Sequence, residues 1–120
     1  MVRTVLIVDD HEEFRELARM LLEDGGFSVV GEAGDGASAL AAARGLHPDA
    51  VLLDIHLPDM DGFAVAEALS LEQPRPRVVL TSMDEDEAIE SLLRRAGAVR
   101  FVAKRTLAST AITSLWEGAR

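Results

Sequence analysis

Four apolar runs in this sequence each end at side chains that can carry or neutralise charge. They end at Asp9 and Asp10, at Asp54, at Thr81 with Ser82, and at Lys104. Carboxylates held close together raise one another's pKa unless a cation lies between them, and Mg²⁺ favours such oxygen donors. A magnesium ion, an ammonium group and a hydroxyl together can stabilise the oxygens of a transferring phosphoryl group. The residue types therefore predict phosphoryl chemistry, provided that the fold brings them together.

Asp54 is the candidate nucleophile of this set. It stands alone at the end of its run, whereas Asp9 and Asp10 form a pair. A carboxylate beside a metal ion and a lysine can attack phosphorus and form an aspartyl-phosphate, a recognised covalent role for this side chain. Each residue alone also fits an ordinary role in capping or on a solvated surface, so the joint pattern carries the chemical interpretation.

The apolar runs themselves predict the elements that must position these residues. Short, wholly apolar runs are typical of strands buried on both faces, and we expect strands over 5–8, 27–33, 50–53, 78–80 and 99–103. Apolar residues at helical spacing predict helices over 14–22, 37–44, 63–71 and 89–96, with a last helix carrying Ile112, Leu115 and Trp116. This alternation predicts an α/β fold, a doubly wound five-stranded parallel sheet with helices on both faces.

The predicted sheet gives the candidate residues a common location. They follow the first, third, fourth and fifth predicted strands, and none follows the second. In open α/β sheets, ligands bind beyond the carboxyl ends of the strands, at the topological switch point. The three carboxylates, the hydroxyl pair and the ammonium are therefore expected at one edge of the sheet.

Composition and charge limit the classes of partner. The 120 residues, 48% of them apolar, predict one compact domain. A net charge of −9 disfavours direct binding to DNA or to an anionic membrane, since both attractions depend on Lys and Arg. The absence of cysteine excludes disulfides and cysteine-ligated metals. No apolar run approaches the roughly 18 residues of a membrane helix, and the N-terminal run is too short for a signal peptide, so we expect a cytoplasmic protein.

Four motifs, in this order, resemble the receiver domains of two-component response regulators. They are Val8-Asp9-Asp10, the Asp-x-x-Leu-Pro-x-x-Asp-Gly stretch within 53–62, Leu80-Thr81-Ser82, and Phe101-Val102-Ala103-Lys104. The resemblance spans essentially the whole chain and implies one receiver domain over residues 1–120, with no output domain. It implies a flavodoxin-like (βα)5 sandwich with strand order 2-1-3-4-5. The motifs around Asp10 and Lys104 are similar to the branch that often carries a LuxR/NarL-type helix-turn-helix output for transcription control.

The resemblance also implies a phosphoacceptor and a metal site. Asp54 is expected to accept a phosphoryl group from a phosphohistidine on a sensor histidine kinase or a phosphotransfer protein. Asp10 and Asp54 are expected to ligate Mg²⁺ by carboxylate, with the backbone carbonyl of His56 as a third ligand. Asp9 is expected to act through bound water.

A switch is implied in the same way. Thr81 and Lys104 are expected to bind the phosphoryl oxygens, Thr81 to shift toward them, and Phe101 to move into the released space. The surface of the fourth helix, fifth strand and fifth helix would then change its partners, and homodimerisation through this face or the last helix is one expected output. The domain would be a phosphoacceptor switch that assists its own phosphorylation and dephosphorylation, not a turnover enzyme.

Two departures from the family pattern keep alternatives open. Arg105 follows Lys104 where receivers commonly have Pro, so a trans bond is expected there, and Arg100 stands where relatives often have Gly. These leave room for a degenerate receiver that only binds proteins. A magnesium-dependent phosphatase with an aspartyl nucleophile is disfavoured, because such sites usually have a second Asp two residues on, where this chain has His56 or His11.

The remaining polar residues near the site are given ordinary interpretations. His11 is a candidate metal ligand, but Mg²⁺ prefers oxygen to imidazole, so we interpret His11 as a helix-start residue. Glu12, Glu13 and the acidic run 84–87 are interpreted as solvated acids that stabilise helix N-termini. Trp116 is interpreted as a packing residue of the last helix.

Overall fold

The computed structural model describes residues 2–83 and 89–117. Its five strands are β1 (Thr4–Val8), β2 (Ser28–Ala33), β3 (Ala50–Asp54), β4 (Arg77–Ser82) and β5 (Arg100–Ala103). Its four α-helices are α1 (Glu12–Asp24), α2 (Gly36–Leu46), α3 (Gly62–Leu69) and α4 (Ile89–Ala96). The strands pair in parallel in the order β2-β1-β3-β4-β5. The predicted fold class and strand order are confirmed.

The central strands are buried on both faces because their side chains alternate between two apolar layers. Leu6, Val8, Val51 and Leu53 pack with buried residues of α2, α3 and α4. The alternate residues of the same strands pack instead with α1 and the C-terminal segment, and include Val5, Ile7, Ala50 and Leu52. Continuous apolar runs are the expected sequence for such strands, since neither face is left to water. This double layer fixes the strand ends that carry the candidate residues.

The predicted last α-helix is wrong for the described residues. Lys104–Ser109 and Ile112–Ser114 each form a 3₁₀ helix, and residues 115–117 form a turn. The carbonyls of Trp116 and Glu117 accept hydrogen bonds from the guanidinium groups of Arg77 and Arg100, at 2.7 and 2.9 Å. These bonds tie the C-terminal segment to the first residues of β4 and β5.

Trp116 itself has the predicted packing role. Its side chain is buried, meets the Phe27 ring edge-on at 5.4 Å between centroids, and donates from Nε1 to the Val51 carbonyl. The acidic run 84–87 lies outside the described residues. Within the described part of the chain, no helix is long and apolar enough to span a membrane.

Gly62 lies at the end of the loop after β3, in close contact with the backbone at the end of that strand. Its N–H donates to the Ile55 carbonyl at 2.7 Å, while Asp61 caps α3 by accepting from Phe63 N–H at 2.6 Å. A Cβ atom at position 62 would contact the Asp54 carbonyl oxygen and lie 2.6 Å from the Ile55 Cα. Backbone cannot yield as a flexible side chain can, so this position requires glycine.

Candidate functional site

Asp54 ends β3 in a buried position with two kinds of partner. The residue is 2% exposed. Its Oδ1 accepts the His56 backbone N–H at 3.1 Å, and its Oδ2 lies 3.2 Å from Lys104 Nζ. Asp54 is also the register partner of Thr81 on β4, and the Thr81 carbonyl accepts the Ile55 N–H at 2.9 Å. The carboxylate is therefore held by backbone on one side and by an ammonium on the other.

Lys104 joins the first and third strands through their acids. Its Nζ lies 2.6 Å from Asp9 Oδ2, in addition to its contact with Asp54. The same Nζ lies 4.8 Å from the centroid of the Phe14 ring, so α1 provides a cation–π contact. Lys104 is 7% exposed, and a buried ammonium is stable only with such partners. One ammonium thus compensates two buried carboxylates.

The pKa of Asp54 is raised above its ordinary value. Burial is the main cause, and the neighbouring carboxylate of Asp9 adds to it. The His56 N–H and the Lys104 ammonium act in the opposite direction without cancelling the rise. Burial disfavours the charged form because it removes water from the carboxylate. Further positive charge at this site would therefore favour the ionised, nucleophilic form of Asp54.

Asp9, Asp10, His11 and Asp54 form a cluster that could hold a cation. One ligand atom from each of these residues lies within 4.8 Å of the others. Asp9 is fully buried, whereas the Asp10 side chain is 35% exposed. Carboxylate oxygens are donors that Mg²⁺ accepts, and an exposed side leaves room for the waters it retains. The residues expected to hold Mg²⁺ by carboxylate are thus brought together, and the backbone N–H of His56 is bound to the same Asp54 carboxylate.

Thr81 adds a hydroxyl beside this cluster. The residue is 1% exposed, and its Oγ1 has no hydrogen-bond partner among the described residues. Since Thr81 is paired with Asp54 in register, both side chains leave the same face of the sheet. A buried hydroxyl without a partner costs free energy unless a ligand satisfies it. Its position next to Asp54 suits an oxygen of a group carried by that carboxylate.

Phe101 lies elsewhere. It is half-buried, pairs in register with Leu80, and packs on the core layer beneath α2, α3 and α4. Side chains alternate along a strand, so Thr81 lies on the opposite face from Leu80 and Phe101. The structure therefore brings Asp9, Asp10, Asp54, Thr81 and Lys104 together and keeps Phe101 on the layer beyond them.

Three residues support the site without having been singled out from the sequence. Phe14 contacts Lys104, as described above. Arg15 donates from Nη1 to the Asp9 carbonyl at 2.7 Å and from Nε to Glu32 at 2.9 Å. Neither Phe14, which fits the apolar stripe of α1, nor Arg15, which fits its polar face, carries a sequence signal for this role.

Asp59 is the third supporting residue. Its carboxylate accepts from the backbone N–H groups of Gly36 and Ala37, at 2.7 and 3.0 Å, in the first turn of α2. These bonds lower the pKa of Asp59. The loop that follows Asp54 is therefore anchored to α2 as well as to α3. The Asp-x-x-Leu-Pro-x-x-Asp-Gly stretch identified this loop in the sequence, but not the contact of Asp59 with α2.

The two departures from the family pattern are accommodated locally. The Lys104–Arg105 bond is trans as expected, since the one cis bond of the described residues is Gln73–Pro74. Arg100 takes a regular place as the first residue of β5, while the turn before it uses Gly97 at φ 75°. Neither arginine displaces Lys104 from the acids.

Comparison with known proteins agrees with this geometry. The sequence profile of the response regulator receiver domain matches residues 5–115. The chain belongs to the response regulator receiver family. The receiver resembles the signal receiver domain of the response regulator NarL from Mycobacterium tuberculosis, at 37% identity and a TM-score of 0.85, over 94% of this chain and 91% of that one. A LuxR-family two-component response regulator from Aurantimonas sp. SI85-9A1 matches with a TM-score of 0.89 and 29% identity, over 100% of this chain and 89% of that one.

The curated relatives that match this chain are longer proteins. The response regulator GacA from Pseudomonas aeruginosa is 38% identical over 101 residues, which are 83% of this chain and 47% of GacA. The receiver spans about half the length, or less, of the curated relatives that it matches. The resemblance to receivers of the LuxR/NarL branch is confirmed, and phosphorylation-controlled signalling is the mechanism typical of the family.

Proposed function

We propose that Asp54 accepts a phosphoryl group from a phosphohistidine on a sensor histidine kinase or a phosphotransfer protein. The arrangement of Asp54, Lys104 and Thr81 carries this proposal. An ammonium lies 3.2 Å from the Asp54 carboxylate, and the buried Thr81 hydroxyl, which has no partner among the described residues, stands at its register position. These are the groups that a doubly charged phosphoryl group needs around its oxygens. A core aspartate with only a structural role would not require them.

The transfer is an in-line displacement. The residues of this chain position the reacting groups and neutralise the charge on the phosphoryl oxygens. An Asp54 carboxylate oxygen forms the new P–O bond while the P–N bond to the donor imidazole breaks, and the electron pair of that bond stays on the imidazole. Lys104 interacts with the developing charge on the phosphoryl oxygens, and the Thr81 hydroxyl donates a hydrogen bond to one of them. In hydrolysis, the oxygen of a water molecule forms a P–O bond while the P–O bond to Asp54 breaks, which releases inorganic phosphate and returns the carboxylate. The domain assists both reactions on itself, and we propose that it is not a turnover enzyme.

We further propose that Mg²⁺ is held by the carboxylates of Asp10 and Asp54 and the His56 backbone carbonyl, with Asp9 acting through water. When bound, the ion supplies positive charge that stabilises both the ionised Asp54 and the transferring group. The close spacing of Asp9, Asp10 and Asp54 supports this assignment. A second cation is needed on physical grounds, because Lys104 alone faces two carboxylates before the phosphoryl group adds its own charge.

The proposed conformational switch begins at Thr81 and is transmitted to Phe101 on the other face of the sheet. Movement of the Thr81 side chain toward phosphate would open space beside β5, into which Phe101 would move. The surface of α4, β5 and the C-terminal 3₁₀ segment would then change its affinity for partners, including a second copy of the receiver. The charge of −9 argues against DNA binding by this chain itself. We place the reaction in the cytoplasm, where ATP-derived phosphodonors are made.

The experiment is intact-mass measurement after incubation with acetyl phosphate, with Mg²⁺ and then with chelator. We expect a magnesium-dependent gain of one phosphoryl group in the native chain and none in Asp54→Asn, a nearly isosteric change. Asp49→Asn is the matched control, because Asp49 lies at the other end of β3 and should leave labelling intact. Labelling of Asp54→Asn would contradict the site. No labelling of the native chain under any condition would favour a degenerate receiver that acts as a phosphorylation-independent interaction module.

A further inference from the structure

His11 presents a nitrogen donor to the acid cluster. Its backbone begins α1, and its N–H donates to Asp9 Oδ1 at 2.8 Å. The side chain makes no helix-capping bond, and its Nδ1 hydrogen-bonds the Asp9 carboxylate instead. Nδ1 lies 3.2 Å from Asp9 Oδ1 and 3.0 Å from Asp10 Oδ1. The expected helix-start role is therefore confirmed, yet the ring also faces the metal position.

These separations suit neighbouring ligands of one ion. With metal–ligand bonds of about 2.1 Å, adjacent ligands of an octahedral ion lie about 3.0 Å apart. The two carboxylate oxygens of Asp9 have different partners, since Oδ1 faces His11 and Oδ2 faces Lys104. A cation on the Oδ1 side would contact His11, Asp10 and Asp9 directly, unlike the Mg²⁺ proposed above, which Asp9 contacts through water, and it would not displace the lysine.

An independent observation indicates that this edge is built for a ligand. The Thr81 hydroxyl is buried, has no partner among the described residues, and leaves the same sheet face as Asp54. Buried polar groups are nearly always hydrogen-bonded, so an unpaired hydroxyl beside the acids indicates that a ligand binds at this edge of the sheet.

The donor set, one imidazole among carboxylates, differs in kind from an all-oxygen site. Mg²⁺ takes oxygen ligands and gains little from imidazole. Co²⁺, Ni²⁺ and Zn²⁺ bind imidazole well, and their affinity for mixed nitrogen and oxygen sites exceeds that of earlier divalent ions. The same residues can therefore hold two classes of cation, and His11 would distinguish between them.

We propose that His11 is a further metal ligand of this receiver and that it makes the acid cluster bind late first-row divalent cations more tightly than Mg²⁺. The inference rests on the proposed function, because it uses the carboxylates assigned to magnesium. The inference adds to the proposed function a second class of cation, the late first-row divalent ions, and a residue, His11, that favours their binding.

The test is calorimetric titration of the metal-free full chain with CoCl₂ alone and with MgCl₂ alone. We expect His11→Gln to raise the Co²⁺ dissociation constant about tenfold or more, and to change that of Mg²⁺ by less than about twofold. The matched control is His47→Asn, which removes another exposed histidine at a left-handed position that asparagine tolerates. It should change neither constant.

A spectroscopic measurement on the same samples identifies the ligand directly. Proton NMR of the Co²⁺-loaded chain should show paramagnetically shifted imidazole signals, which should disappear in His11→Gln and persist in His47→Asn. Absence of such signals from the native chain would overturn the proposal. Equal weakening of Co²⁺ and Mg²⁺ by His11→Gln would also overturn it, since the histidine would then only order the acids.

The outcomes separate this inference from the proposed function. If Mg²⁺ supports labelling of Asp54 but His11→Gln affects Co²⁺ no more than His47→Asn does, the inference is wrong and the proposed function stands. If neither ion binds the native chain, the acid cluster is not a metal site and both fail.

Discussion

β3 has an aspartate at each end, and the fold surrounds the two in opposite ways. Asp49 precedes the strand, is exposed, and accepts the backbone N–H groups of Arg3 and Thr4 at 2.9 and 3.1 Å. Asp54 ends the strand, is 2% exposed, and accepts one backbone N–H, from His56. The Arg3 N–H is the main cause that lowers the pKa of Asp49, whereas burial is the main cause that raises the pKa of Asp54.

The difference separates a structural end of the sheet from a reactive one. At the amino end, Asp49 also donates its N–H to Thr4 Oγ1 and accepts the Arg77 N–H at its carbonyl, so it ties β1, β3 and β4 together. At the carboxyl end, Asp54 and Asp9 share one ammonium, and the Thr81 hydroxyl has no partner among the described residues. Buried polar groups that lack hydrogen-bond or ion-pair partners lower stability. Proteins retain such groups where a bound ligand supplies the missing partner. Each of the following substitutions alters one end and leaves the other in place.

Gly62→Ala should cause the largest loss of stability at the reactive end. The added methyl would meet the backbone of Asp54 and Ile55, which cannot move without displacing the proposed phosphoacceptor. We expect the free energy of unfolding to fall by about 3 kcal/mol, measured by urea denaturation. Gly45→Ala is the matched control, since a Cβ there meets nothing within 4 Å and α2 would gain helix propensity. That variant should be more stable by about 0.5–1 kcal/mol, and a similar loss from both would contradict the argument.

Lys104→Ala should have the next largest effect. It leaves Asp9 and Asp54 buried side by side without their cation. Removing one partner of a fully buried ion pair costs about 3–5 kcal/mol, and we expect about 2 kcal/mol here because the site opens to solvent at Asp10. Urea denaturation of Lys104→Ala with and without Asp54→Asn would check the cause. The second substitution should restore part of the loss by removing one charge.

The same lysine variant should separate phosphorylation from the response to it. Asp54 remains in Lys104→Ala, so some labelling by acetyl phosphate should persist, measured by intact mass. The chemical-shift changes that accompany labelling should become smaller, since the phosphoryl oxygens lose the ammonium that couples them to β5. Shift changes equal to those of the native chain would remove Lys104 from the switch.

The two ends also differ in how far the sequence could predict them. The apolar runs predicted all five strands, and the strand-end rule placed Asp9, Asp54, Thr81 and Lys104 at one edge. The contacts of Phe14, Arg15 and Asp59 were not predictable, because each residue also fits an ordinary helix or loop pattern. The predicted last α-helix was wrong because the segment closes 3₁₀ turns, with bonds three residues apart such as Thr110 N–H to the Leu107 carbonyl. Apolar spacing does not distinguish short 3₁₀ turns from an α-helix.

Asp54→Asn should produce a smaller effect with a defined dependence on pH. The folded chain raises the pKa of Asp54, so its contribution to stability is fully present below the ordinary value of 3.8 and is lost as pH rises through the raised pKa. The asparagine variant cannot ionise and should therefore be more stable than the native chain at pH 7, measured in chelator. The advantage should disappear near pH 3. A variant that is less stable at pH 7 would contradict the raised pKa.

Asp49→Ala should show the smallest effect and the opposite pH dependence. The folded chain lowers the pKa of Asp49, so its contribution is present above the ordinary value of 3.8 and is lost as pH falls through the lowered pKa. We expect a loss of about 1 kcal/mol at pH 7, because the hydrogen bonds to Arg3 and Thr4 are exposed, and a smaller loss near pH 2. Thr4→Val is the comparison variant. It removes the bond from Asp49 N–H and only one of the groups that lower the pKa of Asp49, so its cost should vary with pH less than that of Asp49→Ala. Equal pH dependence in both variants would mean that the charge of Asp49 does not stabilise this end of the sheet, and the contrast with Asp54 would reduce to burial alone.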